Sequence, residues 1–248
     1  MVQRDLVKAN DSPAHAAAQQ PSGADVTRIC FGLGVLAICA VAAFLTWGRK
    51  PDNSDQYRQA RQLILYYTLS RVDDPVIVVG DSIVEASTLP RSICGHAIVN
   101  AGLNGSSTAS DLGVWLSEAL DGKRAALIVV SLGINDALVS TPQSRQSFAN
   151  LYGMLLDQLS KLTPQLAALE IPEVEAKGRM TAAMRDEAMS TINGYNSILP
   201  DLVAKHGAIF VGLPAMPNLH TIDGIHLNSD GYQAWDKGVM QAATKICP

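Results

Sequence analysis

Short apolar segments alternate with amphipathic helical patterns from residue 75 onward, and this alternation most constrains the fold. Segments 75–80, 96–102, 125–133, 166–171 and 207–213 are apolar runs of strand length, which is typical of strands buried on both faces. Strands that alternate with helices form βαβ units and therefore a parallel sheet. The pattern predicts an α/β protein, a three-layer α/β/α sandwich around a five-stranded parallel sheet.

Helical periodicity fills the segments between these strands. Apolar side chains recur every three or four residues over 112–120, 148–162, 184–202 and 232–246, as on the buried face of an amphipathic helix. Pro200 predicts a kink in the third of these helices, because proline lacks a backbone N–H.

Polar residues follow the predicted strands at their carboxyl ends. They are Asp81 and Ser82 after the first strand, Asn104, Gly105 and Ser106 after the second, Asn135 and Asp136 after the third, and Asp223 and His226 beyond the fifth. Ligands of an open parallel sheet bind outside the carboxyl ends of its strands. We therefore expect these residues to converge on one site.

Three of these residues have the chemistry of an activated nucleophile. A serine hydroxyl such as that of Ser82 becomes nucleophilic when a base takes its proton, and a histidine becomes a good base when a carboxylate orients it. Asp223 and His226 lie three residues apart in a glycine-containing turn, which can bring carboxylate and imidazole together. Taken singly, Ser82 could instead cap the next helix and Asp223 could form a turn.

Four motifs together resemble the four blocks of the SGNH (GDSL-type) esterases and lipases. The motifs "GDSIVEAS", "NAGLNGSS", "SLGIND" and "DGIHLNSDGY" occur in that order within residues 75–247. The resemblance implies a flavodoxin-like fold and a Ser-Asp-His hydrolase.

The resemblance also implies a role for each matching residue. Ser82 would be the nucleophile and would lend its N–H to an oxyanion hole, with Gly105 and Asn135 supplying two further donors. His226 would be the base and later the acid, oriented by Asp223.

Two further residues, Asp81 and Asp136, would hold loops rather than touch substrate. Ala86 departs from the family pattern, which usually has glycine at that position of the first block, and this bears on loop shape and substrate access. The G-x-S-x-G motif of the other large hydrolase class is missing from the chain, which argues against that fold.

Composition excludes several other functions. The net charge of −4, the aromatic content of 5% and the lack of a Lys/Arg cluster argue against a nucleic-acid partner. The chain has no CxxC motif and no Cys/His cluster with metal-ligand spacing, so no metal is expected. The loop "GDSIVEAS" lacks the run of phosphate-binding groups that a flavin binder needs. No cofactor is expected.

An uncharged, apolar run of nineteen residues, 29–47, precedes the predicted sandwich. As a helix it would span roughly 28 Å, close to the hydrocarbon core of a bilayer. We therefore expect a disordered tail over 1–28, a transmembrane anchor over 29–47, a linker and juxtamembrane helix over 48–74, and the hydrolase domain over 75–248. A cleaved signal peptide ending at a small-residue site is the alternative.

The two cysteines outside the apolar run, Cys94 and Cys247, could form a disulfide in an oxidising compartment or be two buried thiols. Positive charges on both sides of the run do not decide its orientation. We expect a single-pass protein of a bacterial inner membrane with its domain in the periplasm, or a secreted protein if the signal is cleaved.

The sequence as a whole predicts a membrane-anchored serine esterase. It would cleave a carboxylic ester, a lipid acyl group or a sugar O-acetyl group, through an acyl-serine intermediate. An O-acyltransferase acting on a surface polysaccharide and a non-catalytic module with the same fold are the alternatives.

Overall fold

The computed structural model describes residues 53–139 and 144–247. The predicted tail over 1–28 and the predicted anchor over 29–47 lie outside the described residues. Within the described part of the chain, no helix is both long and apolar enough to cross a membrane.

Six strands form one sheet at the centre of the described residues. They are β1 (Val76–Gly80), β2 (Ser92–Ile93), β3 (His96–Gly102), β4 (Leu127–Ser131), β5 (Leu166–Leu169) and β6 (Ile209–Val211). Strands β1 and β4 are buried along their whole length, as continuous apolar runs between two helical layers should be. The five strands predicted from sequence are all present, and all of them pair in parallel.

The predicted strand count of five is one too low, since the sheet is mixed and has six strands. The additional strand, β2, pairs antiparallel with β3 through a tight turn in which Cys94 and Gly95 have φ of 48° and 88°. Two residues are too few to show an alternating pattern in a sequence. A disulfide joins Cys94 in this turn to Cys247, with the Cα atoms 5.6 Å apart.

Eight α-helices are found among the described residues. They are α1 (Asn53–Leu69), α2 (Ser82–Ala86), α3 (Leu112–Leu120), α4 (Ile134–Ala137), α5 (Arg145–Leu159), α6 (Ala182–Asn196), α7 (Leu199–Lys205) and α8 (Ser229–Ala243). The helix predicted over 184–202 is divided into α6 and α7, and Pro200 lies in the first turn of α7, where its missing N–H costs no helical hydrogen bond.

The order of the strands determines where in the sheet the candidate site lies. The sheet runs β2-β3-β1-β4-β5-β6, so the chain first goes from β1 to one side of the sheet and later returns to the other side at β4. This is the switch point of a doubly wound, flavodoxin-like sheet, the place at which such sheets have a crevice outside the carboxyl ends of their strands. Ser82 follows β1 and Asn135 follows β4, so both residues lie at this crevice.

Candidate active site

The first loop of the site brings Ser82 to the start of helix α2. Asp81 caps this helix, since its Oδ1 accepts the Ile83 N–H at 2.9 Å. Gly80 is required just before it, because a Cβ there would lie 2.0 Å from the Ser131 carbonyl oxygen. Strand β1 can therefore pack closely against β4. Ser82 follows at the carboxyl end of the strand, where it is half-buried.

The structure brings Ser82, His226 and Asp223 together. Ser82 Oγ lies 3.0 Å from His226 Nε2, and His226 Nδ1 lies 2.8 Å from Asp223 Oδ2. An ionised carboxylate can only accept hydrogen bonds, so Nδ1 of the neutral ring must carry the proton. The lone pair of Nε2 then faces the Ser82 hydroxyl, which is the tautomer that general-base catalysis needs.

Asp223 is held in its ionised form. Burial opposes ionisation, but hydrogen bonds from the His226 side chain and from the N–H groups of His226 and Ile225 outweigh it and lower the Asp223 pKa to about 2. The two backbone N–H groups reach Asp223 Oδ1 at 2.9 and 3.0 Å. These contacts fix the carboxylate in place, so its second oxygen points at the imidazole.

Glu175 fixes the loop that carries Asp223 and His226. Its Oε2 accepts the Thr221 N–H at 2.8 Å and the Thr221 hydroxyl at 2.5 Å, and its Oε1 accepts the His220 N–H at 3.2 Å. Its backbone N–H also donates to the Gly224 carbonyl at 2.8 Å. The segment around Glu175 is irregular and has no periodic pattern, so no sequence signal pointed to this role.

The candidate oxyanion donors lie on two loops of the crevice. Gly105 has φ of 75° in a turn closed by the Ser106 N–H and the Leu103 carbonyl at 3.1 Å, a conformation that favours glycine. Asn135 Nδ2 donates one hydrogen to the Ser106 carbonyl at 2.8 Å. An amide has two such hydrogens, so this bond orients Asn135 towards the Gly105 loop while it uses only one of them.

The two buried carboxyl groups of the motifs, Asp81 and Asp136, accept hydrogen bonds from residues of the loops. Asp136 accepts the Thr108 N–H and the Thr108 hydroxyl, which ties the Gly105 loop to α4. Burial raises the Asp136 pKa. Burial likewise raises the Asp81 pKa, to about 7, against the opposing hydrogen bond from Ile83.

Glu85 links helix α1 to the loop that carries Gly105. Its Oε2 accepts the Asn104 N–H at 2.7 Å and also the hydroxyl of Tyr57, while Arg61 lies 3.8 Å from its other oxygen. Arg61 also donates to the Gly102 carbonyl at 2.8 Å. Glu85 lies three residues after Ser82 on α2, but nothing in the sequence indicated that it would reach this loop.

No group of three or more His, Cys, Asp or Glu side chains within the described ranges could hold a metal ion. A cavity of about 320 Å³ lies beside the loop that carries Asp223 and His226, between segments 173–177 and 216–220. Neither Ser82 nor His226 lines it.

Comparison with known proteins identifies the family. The GDSL-like Lipase/Acylhydrolase family model matches residues 78–234, a range that includes every motif residue from Asp81 to His226. No curated protein matches the chain.

Solved structures with the same fold share little sequence with this chain. A Streptococcus pneumonia protein provisionally described as a platelet activating factor is 23% identical, with 82% of this chain and 98% of that chain covered and a TM-score of 0.61. A GDSL-like lipase from Bacteroides thetaiotaomicron is 17% identical, with 78% and 98% covered and a TM-score of 0.58. The acetyl xylan esterase AlAXEase is 18% identical, with 68% and 98% covered and a TM-score of 0.54. The chain belongs to the GDSL-like lipase/acylhydrolase family and is a hydrolase of ester bonds.

Proposed function

We propose that Ser82, His226 and Asp223 are the catalytic triad of a serine esterase. The observation that carries the proposal is the continuous line of contacts from Ser82 Oγ through His226 to Asp223, at 3.0 and 2.8 Å. Both distances are within the reach required for a nucleophile and its base.

The geometry supports a two-step acyl transfer. Ser82 Oγ attacks the ester carbonyl carbon while its proton passes to His226 Nε2, and the Asp223 carboxylate stabilises the imidazolium that forms. The Ser82 and Gly105 N–H groups and the second N–H of Asn135 donate to the oxyanion. The intermediate then breaks its bond to the alcohol oxygen, which takes the proton from His226. Water repeats the sequence on the acyl-serine and releases the acid.

The substrate is a carboxylic ester, either a lipid acyl ester or a sugar O-acetyl ester. Support for this range comes from structural neighbours that are described as a lipase and as an acetyl xylan esterase. Ser82 is half-buried, and the side chains of His226 and Asp223 are 42% and 49% exposed. Such a shallow site suits an ester carried by a large glycan or presented at a lipid surface.

The proposal includes the cellular placement of the enzyme. The apolar run 29–47 anchors the chain in a bacterial inner membrane with the domain in the periplasm. The disulfide between Cys94 and Cys247 supports an oxidising compartment.

Labelling with a fluorophosphonate probe tests the nucleophile. The wild-type chain should be labelled, the Ser82→Ala variant should not, and Ser82→Ala should also lose hydrolysis of a short-chain chromogenic ester. Ser160→Ala is the matched control, because this exposed serine lies at the end of α5 and bonds only locally to the Asp157 carbonyl. Equal labelling of the wild type and Ser82→Ala would refute the assignment.

Two further measurements address the remaining parts of the proposal. Labelling of intact and of permeabilised cells distinguishes a periplasmic from a cytoplasmic domain, since a probe that crosses only the outer membrane reaches the former. Supplying a polysaccharide acceptor distinguishes hydrolysis from O-acyl transfer, because a transferase would place the acyl group on the glycan rather than release it.

A further inference from the structure

Helix α1 exposes an apolar face to solvent. Leu63, Ile64, Tyr66 and Tyr67 are 54%, 57%, 37% and 53% exposed. Large apolar side chains grouped on one short stretch of a helix indicate a surface that contacts something else. We call these four residues the apolar face of α1.

The opposite side of α1 is fixed to the domain, so the apolar face has a defined direction. Leu65 and Leu69 are buried in the core. Arg58 pairs with Asp111 at 2.6 Å, and Lys123 Nζ donates to the Leu69 carbonyl at 3.1 Å. The helix therefore cannot rotate to bury the apolar face without breaking these contacts.

The chain segment that forms the apolar face carries only positive charge, and Glu118 of helix α3 lies beside Leu63 and Tyr66. Residues 56–72 contain three arginines and no Asp or Glu. Arg71 is exposed in the turn that follows α1.

Arg58 pairs with Asp111 and Arg61 with Glu85, so Arg71 is the arginine that can face anionic headgroups. A helix that exposes leucine, isoleucine and tyrosine beside such a residue has the composition of one that lies in the headgroup region of a bilayer. Tyrosine rings in particular favour that interface.

The chain itself limits how far α1 can be from a membrane. Only residues 48–52 separate the apolar run 29–47 from the start of α1, and five residues span at most roughly 18 Å. The seventeen residues of α1 extend about 25 Å. If the apolar run crosses the bilayer, α1 begins next to the headgroups and can lie along them.

We infer that the apolar face of α1 lies on the surface of the bilayer, with Leu63, Ile64 and Tyr67 inserted among the headgroups and upper acyl chains. This inference rests on the membrane anchor of the proposed function. It adds that the domain has a fixed orientation on the membrane rather than swinging on a flexible linker. The same helix contacts the Gly105 loop through Tyr57 and Glu85, so membrane contact and active site share one rigid element.

Fluorescence of a single labelled cysteine in the full chain tests the inference. Cys30 and Cys39 are replaced by alanine, and Cys94 and Cys247 are not reactive because they form the disulfide. A Leu63→Cys variant carries the environment-sensitive label on the apolar face. A Met154→Cys variant is the control, because Met154 is 59% exposed on α5.

The chains are placed singly in nanodiscs of phosphatidylcholine and phosphatidylglycerol, with a spin label on lipid acyl chains as quencher. The label at residue 63 should be quenched at least about threefold more strongly than the label at residue 154. Adding Ile64→Glu to the Leu63→Cys variant should reduce the quenching, because a carboxylate opposes insertion.

Three results would overturn the inference. Equal weak quenching at residues 63 and 154, in chains that alkaline carbonate does not extract from membranes, would refute the position of α1 and leave the anchor intact. Extraction of the chain by carbonate would refute the anchor and this inference together. Weak quenching at residue 63 in single-chain discs, with shielding of its label only in a second preparation that holds two chains per disc, would indicate pairing of two copies instead. None of these results depends on whether Ser82 reacts with the fluorophosphonate probe.

Discussion

Replacement of Glu85 tests whether α1 and α2 position the oxyanion donors. Glu85→Ala removes the acceptor of the Asn104 N–H, which lies 2.7 Å away and one residue before Gly105. The variant should lower kcat and leave KM nearly unchanged, because the proposed Gly105 donor would act on the transition state more than on the bound ester. Glu85 is therefore a positioning residue, which acts through the Gly105 loop.

The size of the effect follows from the contacts that are lost and kept. A hydrogen bond to a charged acceptor contributes about 1.5–3 kcal/mol. The turn at Gly105 keeps its own bond between Ser106 N–H and the Leu103 carbonyl, so only part of that energy should reach the transition state. A loss of about 1 kcal/mol corresponds to a roughly fivefold decrease in kcat, and a loss of about 2 kcal/mol to a roughly thirtyfold decrease.

Two variants make this experiment specific. Glu85→Gln keeps an oxygen for the Asn104 N–H, so its kcat should stay within about threefold of the wild type. Asp111→Ala removes the contact that α1 makes through Arg58 without touching Asn104, and it should leave kcat unchanged. The assay is steady-state hydrolysis of a short-chain chromogenic ester, with thermal unfolding of each variant measured in parallel. An unchanged kcat in Glu85→Ala, or an equal decrease in all three variants, would refute the reasoning.

Three further predictions concern the triad, the buried acid and the disulfide. Asp223→Asn should lower kcat by about 10³–10⁴ in the same assay, because its amide would donate to His226 Nδ1 and force the proton onto Nε2; activity near that of the wild type would contradict the triad. Asp81 has its pKa raised from 3.8 to about 7, so the folded protein binds this proton more tightly than the unfolded chain and its contribution to stability is lost as pH rises through 7. Asp81→Asn should therefore gain about 2–3 kcal/mol in unfolding free energy relative to the wild type between pH 5 and 8, as measured with urea, and a constant difference would contradict this. Reduction of the Cys94–Cys247 bond, which closes a loop of 153 residues, should lower the unfolding free energy by about 3–5 kcal/mol, and an unchanged urea midpoint would show that the bond adds no stability.

Most of the fold could be predicted from the sequence because the signals that specify it are local. The alternation of apolar runs with helical periodicity predicted the five parallel strands, and the 3.6-residue pattern predicted α3 with its observed bounds. Strand β2 was missed because its two residues are too few to show an alternating apolar pattern. The break between α6 and α7 was predicted only as a kink, since Pro200 shows where a helix is interrupted but not how the two parts then pack.

The sequence also predicted which residues would gather at the crevice, because the carboxyl ends of parallel strands share one edge of the sheet. It could not predict how those residues are held. Glu175 reaches Thr221 across 46 positions of the chain, and Glu85 reaches Tyr57 across 28 and Asn104 across 19. Such contacts depend on the positions of irregular segments in the folded protein, and no periodic pattern in the sequence indicates those positions.

The sequence by itself determined the order of strands and helices, the residues offered at the ends of the strands, and the apolar run before the domain. The tertiary structure alone decided that Ser82 and His226, 144 positions apart, are separated by one hydrogen bond. It alone decided that one side of α1 is bonded to the loop that carries Gly105 while an apolar side is exposed. The physical reason is that backbone periodicity is set by neighbours along the chain, whereas these contacts form only when distant segments have packed.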